Sequence, residues 1–143
     1  MKKLIYSLWL LLITTLSDNC FAYTGGNQTK PDKTENIVGF HTSLFSKALN
    51  EQRKLQVYLP ENYDTTTKRY PVLYVLDSQR YFLHGITYQN TLVFQDKTPE
   101  AIIIGIDTSN DKRQKLYTKN TKALTRFLQS ELIPYINTNY KVS

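Results

Sequence analysis

Two stretches of this chain are apolar at nearly every position: Val72–Leu76 reads VLYVL, and residues 101–106 read AIIIGI. A strand with one wet face alternates apolar and polar residues, whereas a continuous apolar run fits a strand covered on both faces, as in a parallel sheet. Between the two runs, Phe82, Ile86, Leu92 and Val93 permit a helix, although Gly85, Thr87 and Thr91 weaken it. Strand, crossover helix and strand make a βαβ unit, right-handed by default. Gly105 inside the second run points to a close approach by a neighbouring element.

The flanking segments complete an α/β reading. Residues 37–45 are mostly β-compatible and lead to a polar turn at Asn50-Glu51-Gln52. In KLQVYLP, Leu55, Val57 and Leu59 alternate with Gln56 and Tyr58 until Pro60 stops the strand. The two segments predict a leading antiparallel pair with one half-solvated face. Asn62, Asp64 and three threonines make residues 61–70 a loop. Near the C-terminus, Leu124, Phe127, Leu128 and Leu132 share one helical face, with Asn120 or Thr121 as cap. Pro134 lacks the N–H an interior turn needs, so the helix should bend or end near Leu132. Tyr140–Ser143 then has the look of an approach to a further strand.

The first 22 residues read as a signal peptide. Lys2 and Lys3 precede an apolar stretch from Leu4 to Leu16, and small residues at Cys20 and Ala22 predict cleavage after Ala22. That stretch is too short for a stable membrane span. Export to the periplasm or medium is therefore expected. Residues 23–35 offer little to bury and read as a disordered lead-in. Cys20 is the sole cysteine among 143 residues, so no disulfide framework is expected. The formal net charge of +6 comes from lysines scattered among acids rather than from a basic block. Nucleic acid is not an expected partner.

Open α/β sheets place their sites at the carboxyl ends of parallel strands. Two such ends occur here, Asp77-Ser78-Gln79-Arg80-Tyr81 and Asp107-Thr108-Ser109-Asn110-Asp111. The simplest role for these acids is to satisfy loop backbone donors. Asp107 and Asp111 are not followed by the glycine and distal glutamate of a calcium loop. Phosphate loops, dinucleotide fingerprints, HExxH and cysteine clusters are lacking in the sequence, so neither metal nor cofactor is expected. The two histidines, His41 and His84, have no Gly-x-Ser-x-Gly elbow beside them and read as structural or solvent-facing.

The ordered segments LQVYLPENYDTTTKRYPVLYVLD, PEAIIIGID with Asp111-Lys112-Arg113 after it, and FLQSELIPYINTNY carry a resemblance. They resemble the N-terminal half of the serine esterase family that contains esterase D, the enterochelin-esterase-like hydrolases and, more distantly, the mycolyltransferases. The likeness runs from about Phe40 to the C-terminus. It implies a partial α/β-hydrolase fold over residues 36–143: two antiparallel leading strands, a parallel βαβ unit with Val72–Leu76 as central strand, and a C-terminal helix. It implies carboxylic-ester hydrolysis of a small-molecule ester. In the family, the loop after the central strand gives a main-chain N–H to the oxyanion hole. Aligning LDSQ with the usual Leu-Asp-Gly-x assigns that donor to Gln79. Ser78 stands where glycine is common; Arg80, Tyr81 and Phe82 would border the acyl or alcohol pocket, with Ser78 also against the substrate. Arg113 is given no role beyond shaping the loop.

The family's nucleophile elbow and histidine come later than Ser143. The resemblance thus implies a truncated chain that is inactive alone, with Val72–Leu76 as a bare, aggregation-prone edge. A second expectation is a non-catalytic binding protein that pairs this edge with a partner strand.

Overall fold

The structure, a computed structural model, describes residues 34–143. The signal peptide and nearly all of the lead-in expected at residues 1–35 lie outside them. Residues 36–143 form one unit around a four-stranded sheet ordered β1-β2-β4-β3. Strand β1 (Phe40–Ser46) pairs antiparallel with β2 (Glu51–Tyr58), from Phe40 opposite Val57 to Ser46 opposite Glu51. The turn between them includes Asn50 in the left-handed region, φ 51°, which asparagine tolerates better than most residues. The reversal therefore falls just before Glu51, and Glu51 and Gln52 already belong to β2.

Strand β3 (Val72–Leu76), helix α1 (Ser78–Phe94) and strand β4 (Ile102–Ile106) form the expected βαβ unit. β3 and β4 are parallel in a register that sets Val72 against Ile102 and Leu76 against Ile106. β2 runs antiparallel to the other side of β4, Leu55 opposite Ile106. One sheet face carries Leu55, Val57, Ile102, Ile104 and Ile106 into the main core with Phe127, Leu132 and Ile136. The opposite face places Ile103 against Phe82 and Ile86 of α1, with Tyr58 and Val75 packed alongside. The β2 face expected to be half-solvated is thus partly covered by α1. Each buried Leu, Ile or Phe contributes about 1.5–3 kcal/mol.

The two apolar runs have different fates. β4 is buried at all five positions, but β3 is the sheet edge among the described residues, with Leu73 and Leu76 each 40% exposed. Both faces of β3 are packed, Val72 and Tyr74 against the main core and Val75 against α1, and the exposure of Leu73 and Leu76 belongs to the bare edge that the family likeness implies. Tyr70 donates to the Lys141 carbonyl (2.8 Å), and Ser143 donates to the Tyr70 carbonyl (3.0 Å), a parallel bridge between Tyr70 and Val142. Pro71 instead offers its carbonyl to Ile102 of β4. Successive groups along a strand point to opposite sides, so residues 141–143 lie on the side of this strand away from β4. Lys141 is held there by Nζ bonds to the carbonyls of Tyr63 and Thr66.

Helix α2 (Asn110–Thr118) has no counterpart in the sequence reading; of residues 111–118 in its polar sequence NDKRQKLYT only Leu116 is buried, so periodicity gives no signal. Of the two outcomes expected near Leu132, bending or ending, the C-terminal helix does not end there but changes its winding. Helix α3 (Thr121–Arg126) runs into a π-helical turn (Phe127–Leu132) and on into α4 (Ile133–Asn139). Ile133 N–H reaches back five residues to the Leu128 carbonyl. Pro134 then sits in the first turn of α4, where its missing N–H costs least.

Gly105 decides how α1 meets the sheet. A Cβ at residue 105 would lie 2.5 Å from Ser78 Cβ and 2.8 Å from the Phe82 ring, so the first turn of α1 rests on bare backbone. Gly105→Ala is expected to destabilise the fold by about 1–3 kcal/mol through overpacking, read as a lower urea midpoint with unchanged slope. The exposed β3 edge is expected to drive concentration-dependent association of the chain. Leu73→Lys should weaken it in light scattering, and equal monodispersity of both proteins would contradict this.

Candidate functional site

The ends of β3 and β4 lie side by side, and the start of β2 joins them: Asp107 N–H donates to the Lys54 carbonyl at 3.1 Å. Three segments thereby converge on Asp77–Tyr81. Asp77 is the residue before α1 and adopts the left-handed region, φ 54° and ψ 44°. This conformation costs a non-glycine residue roughly 1 kcal/mol, less for Asp than for most. An aspartate at this position usually accepts an N–H from the first turn of its own helix, worth about 1 kcal/mol. Here its side chain makes no such bond.

The carboxylate faces α2 instead. Arg113 Nε donates to Asp77 Oδ2 at 2.6 Å, and Tyr117 Oη donates to Oδ1 at 3.0 Å. Asp77 is buried, while Arg113 is half exposed. A hydrogen bond to a charged group contributes about 1.5–3 kcal/mol, less where solvent screens one partner. The pair of contacts is sufficient to oppose both the backbone preference and the lost cap. Burial pushes the Tyr117 phenol above its ordinary pKa, which keeps it a donor.

The predicted site residues fall as follows. Arg80 and Tyr81 donate main-chain N–H groups to the Asp77 carbonyl (2.9 and 3.2 Å). The Gln79 N–H has no acceptor among the described residues. Its side chain is tied down: Nε2 donates to the Thr108 carbonyl (2.5 Å), and Oε1 accepts the Thr108 N–H (3.1 Å). Ser78 is only 2% exposed, and its hydroxyl donates to Asp107 Oδ1. Gln56 Nε2 joins both, at 3.2 Å to Ser78 Oγ and 2.8 Å to Asp107. Side-chain contact between Ser78 and a substrate is therefore closed off. Tyr81 is exposed and meets the His84 ring edge-on at 6.1 Å. Arg80 is exposed.

His84 lies on α1 with Nδ1 3.1 Å from the Arg80 carbonyl, and His41 lies exposed on β1. Among the described residues no serine hydroxyl bonds a histidine, and no three His, Cys, Asp or Glu side chains gather as metal ligands. Asp107 bonds Ser78 and Gln56, and Asp111 has other partners. It sits in the first turn of α2, where a bond from Ser109 holds its carboxyl below the usual range.

Sequence reasoning missed Arg53. It is 4% exposed and spans the base of the site: Nη1 to Glu51 (2.7 Å), Nη2 to the Asp107 carbonyl (2.6 Å) and to Thr108 Oγ1 (3.2 Å). Thr108 Oγ1 in turn meets Tyr117 Oη at 3.1 Å, which links Arg53 to the Asp77 clamp. Lys112 also binds Glu51, and this bond, with that of Arg53, holds the glutamate below its ordinary pKa against the opposing effect of burial. The parity of Arg53 with Leu55 and Val57 was the available signal. A cleft of about 290 Å³ lies over this network, with Gln79, Arg53 and Lys112 in its wall.

The sheet order, the parallel βαβ unit and a helix start carrying an open N–H define the class: this is the strand-and-helix front of an α/β-hydrolase fold. The family model described as "Putative esterase" matches residues 46–143, and the chain belongs to that family. It is 33% identical over 103 residues to the uncharacterized protein YjcH of Bacillus subtilis, covering 68% of this chain and 42% of that protein. Among solved structures it is similar to an IroE-like serine hydrolase from Shewanella oneidensis, with 25% identity, TM-score 0.62, and coverage of 73% of this chain and 39% of that one. The fold also matches a CE1 ferulic acid esterase from Anaeromyces mucronatus, with 24% identity, TM-score 0.61, and coverage of 80% and 47%. The chain spans about two fifths of the length of the first two relatives.

Replacing Arg53 by Met should cost about 2–4 kcal/mol, since the Asp107 carbonyl and Glu51 lose a buried cationic donor. Chemical denaturation measures this, and a loss below about 0.5 kcal/mol, the range of ordinary surface substitutions, would show that the network does not brace the site.

Proposed function

We propose that this chain forms the oxyanion-hole side of an exported serine carboxylesterase acting on small-molecule esters. The observation that carries the reading is the open Gln79 main-chain N–H at the start of α1, at the carboxyl end of a parallel strand. A helix start favours negative charge through its dipole and unpaired N–H groups. A tetrahedral ester intermediate develops negative charge on the former carbonyl oxygen, and a preset donor stabilises it. Arg80 and Tyr81 border the acyl or alcohol group, and Ser78 acts from beneath through its bond to Asp107.

The nucleophile serine and its histidine, in this reading, come from polypeptide outside these 143 residues. Support comes from the share of the relatives' length that the chain spans, and from the backbone of residues 141–143. That backbone is already hydrogen-bonded beside Tyr70 on the side away from β4. Polypeptide following it adds a parallel strand to the β3 edge and covers Leu73 and Leu76. The signal-peptide features of residues 1–22 support export.

The test is a chimera in which residues 36–143 replace the matching segment of the Shewanella serine hydrolase, assayed on p-nitrophenyl acetate. The chimera should hydrolyse the ester, whereas the 143-residue chain alone should not. Gln79→Ala retains the main-chain donor and should keep kcat within about 10-fold, while Gln79→Pro removes it and should lower kcat about 10²–10³-fold. Turnover by the isolated chain, or equal effects of the two substitutions in folded protein, would overturn the assignment.

A further inference from the structure

Asp77 has two ways to use its carboxylate, and only one leaves Gln79 free. Residues of this type at a helix start ordinarily take an extended backbone and accept the N–H of the second or third helical residue. Gln79 is the second residue of α1, and its N–H is the one without an acceptor. The N–H groups of Arg80 and Tyr81 already bond the Asp77 main-chain carbonyl. The vacant donor and the nearest carboxylate are thus two residues apart. A negative charge on that donor would fill the position an oxyanion needs.

Asp77 is kept from it by α2. Arg113 and Tyr117 are four residues apart on that helix, so both reach the same carboxylate, one to each oxygen. Arg113 also stacks over the Tyr117 ring at 5.7 Å, which couples the two donors. Thr108 and Arg53 brace Tyr117 from below. The backbone at Asp77, φ 54°, is the conformation that turns its side chain outward to α2.

We propose that Arg113 and Tyr117 are positioning residues whose task is to hold the Asp77 carboxylate away from the Gln79 N–H, so that the helix cannot cap itself and block its own anion site. Freed of the clamp, Asp77 relaxes to the extended region and accepts the Gln79 N–H. The esterase consequence rests on the function proposed above; the capture of the amide does not.

The experiment reads the Gln79 amide by NMR shift and hydrogen exchange in the dilute full chain. Arg113→Met keeps the stem packing on Tyr117 but removes the donors. It should shift the Gln79 amide proton downfield and slow its exchange about 10-fold or more, as a newly formed hydrogen bond does. Tyr117→Phe should do the same more weakly, and stands in if the first variant fails to fold. Adding Asp77→Gly, which suits the left-handed backbone and removes the carboxylate, should return the amide to its wild-type state. A Gln79 amide unmoved in both single variants, or still protected in the double variant, overturns the proposal. In the chimera, Arg113→Met should lower kcat about 10–100-fold with KM within about 2-fold, and Asp77→Gly should restore most of the loss. An additive loss in the double variant would assign the two residues a purely structural role and overturn the positioning claim. Amide capture with unchanged kcat would uphold the clamp and sink the oxyanion role of Gln79.

Discussion

The contact between the first turn of α1 and the bare backbone at Gly105 is the constraint on which the rest of this structure hangs. No side chain separates the helix from the sheet there, and Ser78 and Phe82 occupy the space one would need. The approach carries the Asp77–Gln79 loop down to the level of the β4 end. Ser78 can then reach Asp107, and Gln79 can close a two-bond pair with Thr108. A bulkier residue at 105 would lift the helix start and break both links together. Packing and polar geometry are therefore one device at this position.

Above that contact, the carboxyl end of the sheet is held by polar rather than apolar chemistry. Arg53, Glu51, Thr108, Tyr117, Asp77 and Arg113 form a chain of bonds from the start of β2 to the residue before α1. Such a network costs desolvation that an apolar core would not, and its net contribution to stability is modest. What it supplies is direction: a buried carboxylate with two fixed donors has one favoured orientation. The neighbouring helix start keeps a vacant N–H as a result. A leucine core in the same place would be at least as stable and would leave the aspartate free to cap.

Much of this was legible in the residues. The runs VLYVL and AIIIGI located the parallel pair because lateral burial needs apolar atoms on both sides of a strand. The glycine in the second run announced the close approach before any neighbour was known. LDSQ marked the loop through its family likeness. What escaped was whatever lacked an apolar period. Helix α2 is almost entirely polar, and Arg53 sets a charge on the buried parity of β2, where the apolar pattern has no place for one. Pro134 marked an irregularity near Leu132, where the helix was expected to bend or end, but not its form. A π-helical turn precedes Pro134, and the core burial of Phe127, Leu132 and Ile136 holds both sides of the turn in one helix.

The sequence by itself determined the class of fold, the pairing of its leading strands and the strand ends that meet at the candidate site. These follow from periodicity and from residues adjacent in the chain. Only the tertiary structure decided that β2 pairs with β4 rather than β3, which encloses β4 on both sides. It alone brought Arg113 and Tyr117 to Asp77, across 36 and 40 residues of chain. The physical reason is the same in both cases. Strand order and side-chain encounters between distant segments depend on how elements pack, and no local pattern of hydrophobicity records which distant partner a buried charge will meet.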